Sequence, residues 1–134
     1  MGDRANFGFR QADGNVIFVY GHWAGHQMMD RLAWALDRAL GAGRLGDEAY
    51  ANRIAISQLI GEDWNGDLSW GITVNYLSDN EHTIPIVDWR REEVSLYDYD
   101  IDPRSFVVTM TSNDTPKVTF SIPDFIKRYA KVGV

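Results

Sequence analysis

Two extended runs close on Asp13-Gly14: Phe7 and Phe9 alternate with polar neighbours before it, and Val16-Ile17-Phe18-Val19-Tyr20 follows without polar interruption. Asp-Gly accepts the positive φ of a tight turn, so this hairpin is the strongest short-range constraint in the chain. A strand with no polar alternation has no face for water, which predicts a central position for residues 16–20 and a more peripheral one for the strand of Phe7 and Phe9. Over residues 26–40 the apolar positions Met29, Leu32, Ala33, Leu36, Ala39 and Leu40 recur at helical spacing and stop in Gly41 and Gly43. Asp47 caps a second helix that runs to about residue 60, where Gly61 ends it. Its apolar residues occupy most of the circumference, so it is expected to be the more buried of the pair.

Beyond a polar loop at 61–68, Trp70, Ile72, Val74 and Tyr76 alternate with Gly71, Thr73 and Asn75, the pattern of a half-buried strand. Residues 83–89 and 94–99 give two more strands, so 69–99 reads as a three-stranded antiparallel meander, with Pro85 demanding an edge, a bulge or a strand start. Runs at 106–110 and 118–122, parted by Asn113-Asp114-Thr115-Pro116, read as a further hairpin. Pro123 then opens a short helix to Ala130, anchored by Phe125, Ile126 and Tyr129, with Lys127, Arg128 and Lys131 at its cation-favouring end. The order ββααβββββα predicts one α+β domain over 1–134: a mainly antiparallel sheet with a layer of two helices and a short C-terminal helix.

With no cysteine, the chain has no thiol nucleophile, no Cys-ligated zinc and no disulfide. No apolar run is longer than residues 16–20, against the roughly 20 residues of a membrane span, and no signal pattern opens the chain, so a soluble cytosolic protein is expected. Thirteen basic against 19 acidic residues give a net charge of −6, a field that repels duplex nucleic acid and anionic membranes. The acids gather at Asp88, Glu92, Glu93, Asp98, Asp100 and Asp102, while Lys127 and Lys131 lie at the tail.

The most unusual stretch is Gly21-His22-Trp23-Ala24-Gly25-His26, where a strand hands over to a helix. Such a turn exposes backbone N–H groups, the makings of an anion site, although the spacing matches neither a Walker nor a dinucleotide fingerprint. Were the turn helical, His22 and His26 would share a face and reach one metal with His82, Asp79 or Glu81. Were it not, they would diverge; the expectation is a structural His22 that donates to a backbone carbonyl, Trp23 packed on the sheet, and no metal or cofactor. Asn52 and Gln58 project to opposite edges of the second helix, either as satisfied structural amides or as polar points of a ligand cavity. Trp34 points away from the apolar stripe between Asp30 and Arg38, which leaves two readings: a ring covered by other parts of the chain, or a subunit or partner contact. Asp98, Asp100 and Asp102 share one face of an extended segment, but Pro103 and Thr109 stand where a calcium loop needs Gly and Glu. Trp89 beside Arg90 and Arg91 reads as a turn with a surface ion pair rather than a base-stacking site.

The residues Val19-Tyr20-Gly21-His22-Trp23-Ala24-Gly25, followed by Tyr50-Ala51-Asn52-Arg53-Ile54, Gly71-Ile72, Asp79-Asn80-Glu81-His82 and Ile86-Val87-Asp88, resemble a group of small uncharacterised proteins encoded by tailed bacteriophages, notably those of actinobacteria. The resemblance spans roughly residues 15–100 and implies a phage origin and action in the host cytoplasm, with no catalytic residues to carry over. On that footing the expectation is a non-enzymatic accessory protein that binds a host factor during takeover or counter-defence, through Trp34, Asp30 and Arg38 and the acidic strand face. The alternative is a protein that binds or sequesters a nucleotide signal, with His22, Trp23, Gly25 and His26 around the helix start and Asn52 or Gln58 reading polar atoms. A small metal- or histidine-assisted hydrolase and a minor virion component rank below these. Self-association through Trp34 is a further expectation.

Overall fold

A computed structural model describes residues 2–98 and 114–130, together with the backbone of residues 108–109. The chain runs β1 (Ala5–Arg10), β2 (Val16–Gly21), α1 (Met28–Gly41), α2 (Glu48–Ile60), a 3-10 turn (Gly61–Asn65), β3 (Trp70–Val74), β4 (Tyr76–Leu77), β5 (Ile84–Asp88), β6 (Glu93–Tyr97), β7 (Val108–Thr109), β8 (Val118–Ser121) and α3 (Ile122–Tyr129). Six strands form one sheet in the order β3-β2-β1-β5-β6-β8, and β4 pairs with β7 in a separate ribbon. Every neighbouring pair in the large sheet is antiparallel except β1 and β5, which run parallel at its centre. The α+β class and the mostly antiparallel sheet are therefore as expected, while three pairings are not.

First, β2 is interior as expected, between β3 and β1, but β1 is not peripheral: it lies beside β5 at the centre of the sheet. Its polar and small positions are covered, not wet: Asn6 is fully buried and its Nδ2 donates to the carbonyls of Ser78 and Asp79 and to Asn80 Oδ1. At Gly8 a Cβ would collide with Ile86 and Phe18, so the missing side chain makes room for a second apolar layer. Second, residues 69–99 are not a meander. Asn75 adopts the left-handed region (φ 66°) that asparagine tolerates, and this breaks the alternating run into β3 and β4, which belong to different sheets. The side chain of Asn75 fixes the break, accepting from the Val16 backbone N–H at 2.8 Å. Of the proposed meander only the β5–β6 hairpin exists; β3 pairs with β2 instead. Third, β7 and β8 are not partners, because β7 pairs with β4 and β8 with β6. Pro85 is accommodated near the strand start: the parallel ladder with β1 begins only at Ile86.

Each face of the sheet carries its own core. Phe7, Phe9, Val19, Val87, Val94 and Leu96 pack with residues of all three helices on one side. Val16, Phe18, Leu77, Ile84, Ile86 and Tyr97 cluster on the other. Phe7, Phe9, Phe18 and Phe125 are fully buried, each stabilising the fold by roughly 1.5–3 kcal/mol relative to exposure.

The helix boundaries follow local chemistry. Asp47 accepts from the Tyr50 N–H and Gly61 ends α2 at φ 60°, both as the sequence indicates. Ser121 caps α3 through the Asp124 N–H, with proline in its first turn. α1 starts two residues later than expected, after Gln27 in a left-handed conformation (φ 60°). It touches both α2 and α3 and buries Met28 and Ala35 besides the predicted Leu32, Ala33, Leu36 and Ala39, so α2, which buries Ala51, Ala55, Ile56, Leu59 and Ile60, is not the more enclosed of the pair. Leu40, assigned to the stripe from sequence, is exposed. No helix among the described residues is long and apolar enough to cross a membrane.

Candidate functional site

The turn after β2 is held from several directions. The His22 N–H donates to the Ser69 carbonyl and the His22 carbonyl accepts from the Asp3 N–H, both at 2.8 Å. On the side chain, His22 Nδ1 and the Tyr20 hydroxyl are hydrogen-bonded at 2.8 Å, and Trp23 meets the imidazole edge-on at 4.8 Å between centroids. The Nδ1 side of the imidazole is thus tied to a phenol of the preceding strand. Trp23 does not pack on the sheet: it is 61% exposed, because the chain leaves the strand at Gly21, where a Cβ would strike Ala24 and Trp70.

Below this turn lies a latch. His82 Nε2 donates to Asp3 Oδ1 at 2.5 Å, directly over Gly25, where any Cβ would run into both side chains. The His82 hydrogen bond holds the Asp3 carboxyl below the usual range; desolvation opposes this, and the His26 backbone N–H adds to the lowering. Arg4 spans Asp79 at 2.5 Å and Glu81 at 3.0 Å, while the Arg4 N–H donates to Glu81 Oε1 at 2.9 Å. The pairs are partly exposed and individually weak. Their joint effect is to tie the start of the chain to the 78–82 loop. Because α1 begins at Met28, the spacing of His22 and His26 is not helical, and His26 is exposed. Among the described residues no group of three His, Asp or Glu side chains is arranged to hold a metal ion.

The six residues considered for a ligand pocket fall in separate places. Asn52 is spent near the far ends of β1 and β5: its Oδ1 accepts from Trp89 Nε1 at 2.7 Å and from Gln11 Nε2, and its Nδ2 donates to Gln11 Oε1 at 2.6 Å. Trp89 is itself buried and stacked on Phe9 at 5.7 Å, which removes it as a platform for a base. Gln58 lies beside Trp34, Gln27 and Arg31 in a shallow hollow of about 300 Å³. Trp34 is half-buried there, Asp30 is half-buried in the first turn of α1, and Arg38 is exposed in its last turn. His22, Trp23, Gly25 and His26 remain together. On the acidic strand, Asp98 binds Lys117 at 3.1 Å and accepts from the Thr83 hydroxyl; Asp100 and Asp102 lie outside the described residues.

Among the described residues an open apolar surface lies along β3, which the sequence pattern does not single out. β3 is an edge strand, and Ile72 and Val74 on its helix-side face are each 53% exposed. Leu68, just before it, is 81% exposed and shares a hollow of about 440 Å³ with Tyr20, His22 and Trp23. Trp70 Nε1 donates to Asp63 in the adjoining 3-10 turn, where Trp64 is exposed. Residues 68–77 contain no charge and no proline, two features that commonly stop an edge strand from pairing. That absence was readable in the sequence; the edge position was not, because the alternation appeared to supply two neighbours. No family model, curated protein or solved structure matches the chain.

Proposed function

We propose that the protein is a non-enzymatic phage accessory protein that binds a host protein in the cytoplasm of the infected cell, and that β3 is its docking element. The observation that carries this reading is the uncharged, apolar, unprotected edge of β3. A partner strand laid along it would gain backbone hydrogen bonds, and Ile72, Val74 and Leu68 would supply side-chain contacts. The phage setting rests on the motif resemblance around Gly21-His22-Trp23. Trp34 moves from principal contact to a flanking role, since it is already half covered by α1 and α2.

The test places a charge on the edge without touching either core. Immobilised wild-type protein, Ile72→Lys/Val74→Lys and Trp34→Ala are exposed to actinobacterial lysate, and retained proteins are identified and re-tested in purified form. A partner that binds wild type and Trp34→Ala but loses at least about tenfold in affinity for the lysine variant is the expected result. Equal binding by the lysine variant removes β3 from the interface. Light scattering on the same proteins distinguishes a second copy: a wild-type dimer that the lysines dissociate makes self-association the role of this edge.

A further inference from the structure

We infer that the sheet face opposite the helices carries a binding site for a small phosphorylated, hydroxyl-bearing molecule such as a nucleoside monophosphate. This goes beyond the β3 reading and is independent of it. The register places Arg10, Asp88 and Glu93 side by side across β1, β5 and β6. The next row is Gly8, Ile86, Ser95 and Thr119, in which Ile86 fills the space over the glycine and the two small hydroxyl residues leave a depression. This depression opens at the carboxyl ends of the one parallel pair, β1 and β5, where the turns after each strand rise on either side. Ends of parallel strands at a sheet's centre are recurrent ligand positions because the flanking connections diverge there. The resulting cleft is about 460 Å³, the volume of a small-molecule site.

Its chemistry is specific. Arg10, Arg90 and Arg91 all line it, and among the described residues none of the three guanidinium groups makes an ion pair or hydrogen bond. Asp88 and Glu93 line it too, so the two signs face one cleft without pairing with these arginines. Asp88 accepts from the Arg91 backbone N–H at 3.0 Å, which fixes the turn that presents Arg90 and Arg91. A guanidinium is a planar fork of donors suited to phosphate oxygens. Carboxylates and the hydrogen-bonded Ser95 and Thr119 hydroxyls accept from alcohols instead. A purely anionic ligand would be repelled by the two acids, and a polyol alone would leave three cations unmatched. A phosphate ester of a polyol satisfies both sets, with buried Ile86 and Tyr97 as the apolar wall.

Titration calorimetry and amide NMR shifts on the full chain test this with four probes: adenosine monophosphate, ribose phosphate, adenosine and inorganic phosphate. Saturable binding of both phosphate esters is expected, with shifts centred on Gln11, Gly14, Arg90 and Arg91, and binding at least about tenfold weaker for adenosine and for inorganic phosphate. Arg10→Gln/Arg91→Gln should weaken ester binding at least about tenfold. Arg90 is exposed, so Arg90→Gln reads the same site should the double variant not fold. The inference is overturned if neither ester saturates at millimolar concentration, if the variants bind as wild type does, or if adenosine or inorganic phosphate matches the esters.

Discussion

Asn52 uses its amide in both senses at once, donating to Gln11 and accepting from Gln11 and Trp89, so one side chain joins α2, the β1–β2 turn and the end of β5. Replacing it with leucine leaves the Trp89 indole N–H and the Gln11 amide oxygen without their partner in a half-buried setting, while Gln11 Nε2 keeps the Phe9 carbonyl. The expected cost is about 2 kcal/mol, read as a lower urea midpoint at unchanged slope. A change below a few tenths would mean that water takes over the contacts. The sequence marks Asn52 as a polar residue on an apolar helix and goes no further, because its partners are 37 and 41 positions away. His22 is similar: its bond to Tyr20 depends on how the strand ends, which no local pattern gives. The arginines of the cleft were visible only as turn residues, and their convergence with Arg10 comes from a strand pairing that no local pattern encodes.

At the level of elements, hydrophobic period and capping chemistry placed nearly every strand and helix, and the errors concern neighbours. Alternation reports which side chains share a face; it is silent on which strand lies alongside. The alternation of Phe7 and Phe9 with Asn6 and Gly8 reads as one wet face, yet Asn6 is a buried donor and Gly8 a packing space. The consequence is measurable by amide hydrogen exchange. β1, bonded to β2 on one side and β5 on the other, should exchange slowest, and β3, with one open edge, should exchange faster than β1 or β2. Protection of β3 equal to that of β1 in the isolated protein would mean that its edge is already filled. Ile72→Lys/Val74→Lys should leave the urea midpoint of the monomer nearly unchanged, since both side chains are more than half exposed.

For the molecule as a whole, three surface latches act in the same direction with pH. Glu81 is held below its ordinary value of 4.5 chiefly by the Arg4 backbone N–H, Asp3 below 3.8 by the His82 hydrogen bond, and Asp98 below 3.8 by Lys117. A carboxyl with a lowered folded pKa takes up its proton in the unfolded chain first. Its contribution is therefore complete above the ordinary carboxylate range and is lost as the pH falls through that range towards the folded value. The stability gap between wild type and Glu81→Gln should be constant above about pH 5.5 and shrink steadily below about pH 4.5. Urea midpoints across that interval measure it, and a gap that widens in acid would contradict the assigned cause. The net charge of −6 read from composition thus resolves into acids with separate tasks, some latching the start of the chain and some facing the arginine cleft.

The parallel pairing of β1 with β5 also sets an order of events during synthesis. β1, β2, α1 and α2 leave the ribosome well before residues 84–88, so Phe7 and Phe9 must stay in a strand with one side unfilled while the rest of the chain is made. β1 is thus made well before the strand that completes it. A messenger that slows the ribosome before β5 would thus prolong the stage at which this protein is most open to a chaperone, or to the wrong partner.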